Sequence, residues 1–108
     1  SGFDIYGGDP LGTMRVTPAG FGYMARALRE VADEVCSGRL LVTLEGGYNL
    51  DGMRDGCLAV LTELSGGRLN SEYPDFSGEV SALGSDVTTA RPQYLEQALS
   101  LAKNYWKM

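Results

Sequence analysis

The sequence predicts an α/β fold organised on a parallel sheet, and three features carry that prediction. The run Leu40-Leu41-Val42-Thr43-Leu44 is apolar without alternation, the pattern of a strand covered on both faces. The run stops at Glu45-Gly46-Gly47 and delivers Tyr48 at its end, and in open α/β sheets the ligand crevice lies beyond the carboxyl ends of the strands. Amphipathic segments with helix caps stand before and after it, so strand, glycine turn and helix together make half of a βα unit.

In chain order, Thr17 followed by Pro18 reads as an N-cap with proline at the first helical position, where a missing N–H is harmless. Phe21, Met24, Ala25, Leu28, Val31, Ala32 and Val35 recur at helical spacing, and Ser37-Gly38 supplies the stop, which predicts a helix from Pro18 to Cys36. Arg26, Arg29, Glu30, Asp33 and Glu34 then form its solvated face. Arg39 to Glu45 is the strand, and it requires parallel neighbours to pair its backbone groups. Asn49 or Asp51 caps a second helix whose stripe is Met53, Cys57, Val60, Leu61 and Leu64, ended by Ser65-Gly66-Gly67. From Arg68 to Arg91, turn formers mix with scattered apolar residues; the reading is an ordered excursion anchored by its apolar side chains, with disorder as the alternative. A last helix begins at Pro92 and runs near Tyr105, with Leu95, Leu99, Ala102 and Trp106 on one side.

Composition narrows the function classes. A chain of 108 residues, 44% of them hydrophobic, suits one domain. The excess of 14 acidic over 9 basic residues disfavours direct contact with nucleic acid or an anionic membrane and suits a basic substrate. No apolar run approaches the roughly 20 residues of a bilayer span. Cys36 and Cys57 lie in no metal or redox spacing and read as two reduced, buried thiols, compatible with the cytoplasm. With no histidine and no cysteine cluster, these residues do not complete a protein zinc site by themselves.

Asp4, at the end of the opening segment Gly2-Phe3-Asp4, is placed to ligate a hard or borderline cation, with Gly7-Gly8 permitting close approach of backbone. From local sequence alone, capping a turn is the favoured reading of both Asp4 and Asp9, since aspartate is a common turn former. An EF-hand is excluded because Asp4-Ile5-Tyr6-Gly7-Gly8-Asp9 lacks oxygen ligands at alternate positions. Gly46-Gly47 before a helix could cradle a phosphate, but Asp51 would repel it and neither the dinucleotide nor the Walker pattern is present. A plain turn is the simpler local reading of the two glycines.

The opening Ser1-Gly2-Phe3-Asp4-Ile5-Tyr6-Gly7-Gly8-Asp9-Pro10-Leu11-Gly12, then Thr17-Pro18-Ala19-Gly20-Phe21, then Glu45-Gly46-Gly47-Tyr48-Asn49 resemble, in order, the C-terminal part of the zinc-dependent histone deacetylase superfamily. The resemblance runs from Gly2 to Gly66 and weakens afterwards. It implies a fragment of an arginase-like three-layer α/β/α fold, with residues 1–108 as the C-terminal part of one deacetylase domain. On that resemblance Asp4 is a Zn²⁺ ligand, Tyr48 the catalytic tyrosine, Leu11 a wall of the acyl-lysine channel, and Gly46 and Gly47 the thin wall beside it. An Asp-X-His pair and two catalytic histidines belong upstream and would complete the site. For Asp9, followed by Pro10, a turn role reads better. The implied substrate is acetyl-lysine or a related acetylated amine; Glu45 points toward the branch that includes acetylpolyamine amidohydrolases without identifying a substrate. A small-amide amidohydrolase and a non-catalytic interaction module on the same scaffold are the alternatives. The isolated segment is expected to be inactive and to pair with another copy through its exposed sheet edge.

Overall fold

The computed structural model describes residues 1–67 and 76–86, together with residues 97, 100, 101 and 104. Among the described residues three helices are bounded, α1 (Pro18–Cys36), α2 (Leu50–Leu64) and α3 (Ser77–Asp86).

Helix α1 has the bounds its caps dictate. The Thr17 hydroxyl accepts the Gly20 amide at 3.2 Å, and Ser37 turns left-handed at φ 57°, so that the Gly38 amide closes back on the Ala32 carbonyl at 2.9 Å. For α2 the choice between two caps falls to Asn49, whose Oδ1 accepts the Gly52 amide at 2.8 Å. Gly66 and Gly67, at φ 72° and 82°, follow its end.

The apolar stripes predicted from spacing are only partly buried. Phe21, Ala25 and Val60 join Phe3 in one core cluster, bordered by Ile5, Tyr6, Val16, Met53, Cys57 and Leu64. The rings of Phe3 and Phe21 pack tilted at 57° with centroids 4.9 Å apart, which fastens the opening segment to α1. Met24, Leu28, Val31 and Val35, expected in the stripe of α1, are exposed, as is Leu61 of α2. The reason is geometric: α1 meets α2 and α3 along its Phe21–Gly22–Ala25 edge, where a Cβ on Gly22 would lie 2.8 Å from Val80 Cγ2 and 3.4 Å from Ala59 Cβ. Met24 and Leu28, on the other edge of the stripe, line an open groove with Leu40, Leu41 and Val42.

The solvated face predicted for α1 is corrected at two positions. The Arg26 guanidinium donates to both oxygens of buried Glu63 on α2 at 2.8 Å, and Arg29 Nη1 donates to the Glu63 carbonyl at 2.6 Å. Arg26 Nη1 also reaches Ser81 Oγ on α3 at 3.4 Å. A paired, bidentate fork of this kind is how a carboxylate tolerates burial, and the hydrogen bond to Glu63 raises the Arg26 pKa above its ordinary value.

The strand expected over residues 39–45 does not form among the described residues, and that segment is exposed rather than covered on both faces. The cause is the absence of neighbours among these residues: a strand, unlike a helix, has no partner for its own amides. Even so, the Ser1 nitrogen donates to the Thr43 carbonyl at 2.6 Å and the Ser1 carbonyl accepts from the Glu45 amide at 3.0 Å, so the two segments run in the same direction. Among the described residues an isolated parallel bridge joins Tyr6 and Val16.

Within the excursion predicted for residues 68–91, Ser77–Asp86 is helical. Val80 on α3 is buried, so an apolar anchor is present there, on a helix in place of irregular chain. Of the last predicted helix, Gln97, Ser100, Leu101 and Asn104 are helical, and the rest lies outside the described residues, as do the anchors Leu69 and Tyr73. Cys36 and Cys57 are free thiols, half-buried rather than buried; desolvation raises the Cys57 pKa. Among the described residues no helix is long and apolar enough to cross a membrane.

Candidate active site

The opening turn and the glycine corner are joined by backbone. The Tyr6 amide donates to Phe3 O at 3.1 Å and the Asp9 amide to Tyr6 O at 3.0 Å, which folds residues 3–9 into a tight double turn. The Phe3 amide then donates to Gly46 O at 2.8 Å, bringing Asp4 onto the corner. A Cβ on Gly46 would lie 3.1 Å from both Cγ and Oδ2 of Asp4, and one on Gly47 would lie 2.9 Å from Phe3 Cβ. Gly47 also adopts φ 140°, a region that side chains disfavour, so both glycines are required by this approach as well as by the turn.

The two aspartates of the opening turn differ in what occupies their oxygens. Asp9 is buried, and its Oδ1 accepts the amides of Leu11 at 2.9 Å and Gly12 at 3.0 Å, while its Oδ2 accepts the Tyr48 amide at 2.8 Å. Burial alone would push its pKa up, but the amides of Tyr48, Leu11, Gly12 and Asn49 outweigh that effect and hold it below its ordinary value. Asp4 is half-buried, and its carboxylate has no hydrogen bond or ion pair with another described residue. Its oxygens therefore retain their acceptor capacity.

Tyr48 and Leu11 are presented to the outside, 58% and 72% exposed. The Tyr48 backbone is fixed by Asp9, and the next residue, Asn49, donates from Nδ2 to the Gly8 carbonyl at 2.9 Å. The structure thus unites Asp4 with Gly46, and Asp9 with Leu11 and Tyr48. No hydrogen bond joins the side chains of Asp4 and Tyr48.

A zinc ion fits Asp4 only as one ligand of a site that other residues complete. An uncommitted carboxylate at the corner suits a borderline cation, yet no group of three His, Cys, Asp or Glu side chains stands ready among the described residues. The sequence predicts a turn role for Asp9. That half is present in the bonds to Leu11 and Gly12, whereas its grip on Tyr48 had no local signal, because the partner lies 39 positions away.

Comparison with known proteins gives a consistent result. The family model for the histone deacetylase domain matches residues 1–64. Histone deacetylase HDA1 of Candida albicans is 50% identical over 112 residues, covering 99% of this chain and 11% of that protein. Histone deacetylase 15 of Arabidopsis thaliana is 43% identical over 106 residues, covering 98% of this chain and 17% of that protein. The crystal structure of an HDA15 HD domain superimposes with a TM-score of 0.55 at 42% identity, over 66% of this chain and 19% of that one. The chain therefore spans less than a fifth of the length of each of these relatives.

Proposed function

The chain belongs to the histone deacetylase domain family, and from that premise we propose that it is the C-terminal part of a zinc-dependent deacetylase domain, supplying the metal ligand Asp4 and the catalytic tyrosine Tyr48. The observation that carries this reading is the convergence of the opening turn and the glycine corner, with the unengaged Asp4 carboxylate against Gly46 and Tyr48 two residues further on.

Hydrolysis of an acetylated amine develops negative charge on the acyl oxygen. The Tyr48 hydroxyl is a donor that can hydrogen-bond that oxygen and stabilise the charge. Gly46 and Gly47 carry no side chain to obstruct an extended acyl-lysine, and exposed Leu11 offers its methylenes an apolar surface. When bound, zinc would polarise the acyl oxygen and lower the pKa of the attacking water, with Asp4 as one of its ligands. The general base and remaining ligands would come from elsewhere in the intact protein, on the family resemblance histidines and an Asp-X-His pair. Taken alone, one carboxylate does not hold zinc, and the segment is inactive.

The same reading makes residues 39–45 an inner strand of an arginase-like three-layer α/β/α fold. Their exposed apolar side chains and same-direction hydrogen bonds to Ser1 support it. Isolated, this edge would pair with a second copy. The free thiols favour a reducing compartment, in our reading the cytoplasm.

The test is Tyr48→Phe in the intact protein, assayed on acetyl-lysine peptide and on acetylpolyamine with and without chelator. A fall in kcat of about 100- to 1000-fold is expected, with bound zinc and melting temperature unchanged. Full activity in this variant would overturn the assignment, and a preference for acetylpolyamine would redirect the substrate.

A further inference from the structure

The Tyr48 side chain is more than half exposed, so the described residues pack little against its ring. Its backbone follows Gly47, whose φ of 140° belongs to the residue with the widest conformational freedom. Rotation at that glycine would swing the phenol away from the corner. Asn49 is tied to Gly8 and Gly52 on the far side, and the restraint on the Gly47–Tyr48 peptide itself is the Asp9 carboxylate, which accepts the Tyr48 amide at 2.8 Å.

We propose that Asp9 is a positioning residue for Tyr48, with one carboxylate oxygen anchored in the opening turn and the other holding the peptide that joins Gly47 to Tyr48. This rests on the reading of Tyr48 as the catalytic tyrosine. The residue type follows from the geometry. Oδ1 is committed to Leu11 and Gly12 at 2.9 and 3.0 Å, so holding Tyr48 needs a second acceptor on the same side chain. A carboxylate has two; an amide has one, and a hydroxyl offers a single oxygen. The bond to an ionised acceptor is also stronger than a neutral one, and burial shields it from water. Leu11 belongs to the turn that Oδ1 organises, so the same carboxylate sets the apolar surface and the phenol in one register.

Asp9→Ser separates the two functions, because a serine hydroxyl can still accept from the turn amides but has no second oxygen for Tyr48. In the intact enzyme this variant is expected to lower kcat on the order of 10- to 100-fold, with KM and bound zinc within about two-fold, since misplacing a reacting group by about 1 Å costs that much. In the Tyr48→Phe background it is expected to lower kcat by no more than about two-fold further, because the hydroxyl it positions is already gone. Multiplying losses in the double variant, or an unchanged kcat in Asp9→Ser, would overturn the positioning role. Should Asp9→Ser not accumulate as folded protein, Asp9→Asn takes its place in the same cycle, where its lone acceptor cannot serve turn and tyrosine together. A fully active Tyr48→Phe would instead remove the reading of Tyr48, so the two failures are told apart by the single variant.

Discussion

The helix pair α1–α2 and the corner that carries Asp4, Asp9 and Tyr48 are held by different physics. The helices satisfy their own backbone and stay together by burying Phe21, Ala25, Ala59 and Val60, reinforced by the Arg26–Glu63 fork. The corner is anchored to that core by Phe3, but the orientation of its turns comes from amides donated to carbonyls and to one carboxylate. Burial is non-directional and tolerates small displacements, whereas a hydrogen bond fixes direction within tenths of an ångström. The division teaches that stability resides in the helices and aim resides in the corner.

That division can be broken from either side. The largest effect is expected from Phe21→Ala, which opens a cavity beside Phe3 and Val60 and should cost about 3–5 kcal/mol in urea unfolding of the intact protein, with kcat per folded molecule retained. Loss of kcat at unchanged stability would erase the distinction. Glu63→Ala strands Arg26, whose side chain is 27% exposed; that exposure brings the cost down from the level of a fully buried pair to about 2 kcal/mol, readable as a lowered melting temperature. Asn49→Ala touches both regions, since Asn49 caps α2 and holds the Gly8 carbonyl, and should cost about 1 kcal/mol. A stability change with kcat untouched would assign it wholly to the helix.

The gentlest perturbation is acid. Because the fold holds Asp9 below its ordinary value of 3.8, its contribution is complete above that value and is lost as pH falls through the lower folded value. Tyrosine fluorescence or amide exchange at Tyr48 should therefore report loosening of the corner only below about pH 4, and Asp9→Ser should abolish that transition. Loosening already at pH 6 would show that another group governs the corner.

Much of the helical framework was legible because its signals are local. Thr17, Pro18 and Ser37-Gly38 bracket α1 within one turn of its ends, and Ser65-Gly66-Gly67 does the same after α2. α3 escaped notice because Gly78, Ser81 and Gly84 are weak helix formers; what holds it is Val80 packed against Gly22, a contact that propensity does not encode. Arg26 and Arg29 read as solvent-facing because their partner on Glu63 is more than thirty positions distant. Of the candidate site, the order of the motifs around Asp4 and Tyr48 was visible, and so was the turn at Asp9.

By itself, then, the sequence determined where α1 and α2 begin and end, which run is strand-like, and which family the motifs resemble, because caps, glycines and periodicity act over a few residues. Only the tertiary structure decided that Asn49 and not Asp51 caps α2, that Asp4 keeps its oxygens uncommitted, and that Asp9 reaches Tyr48. Those outcomes depend on groups far apart in the chain competing for the same few donors, and that competition is resolved only when the opening turn and the glycine corner meet.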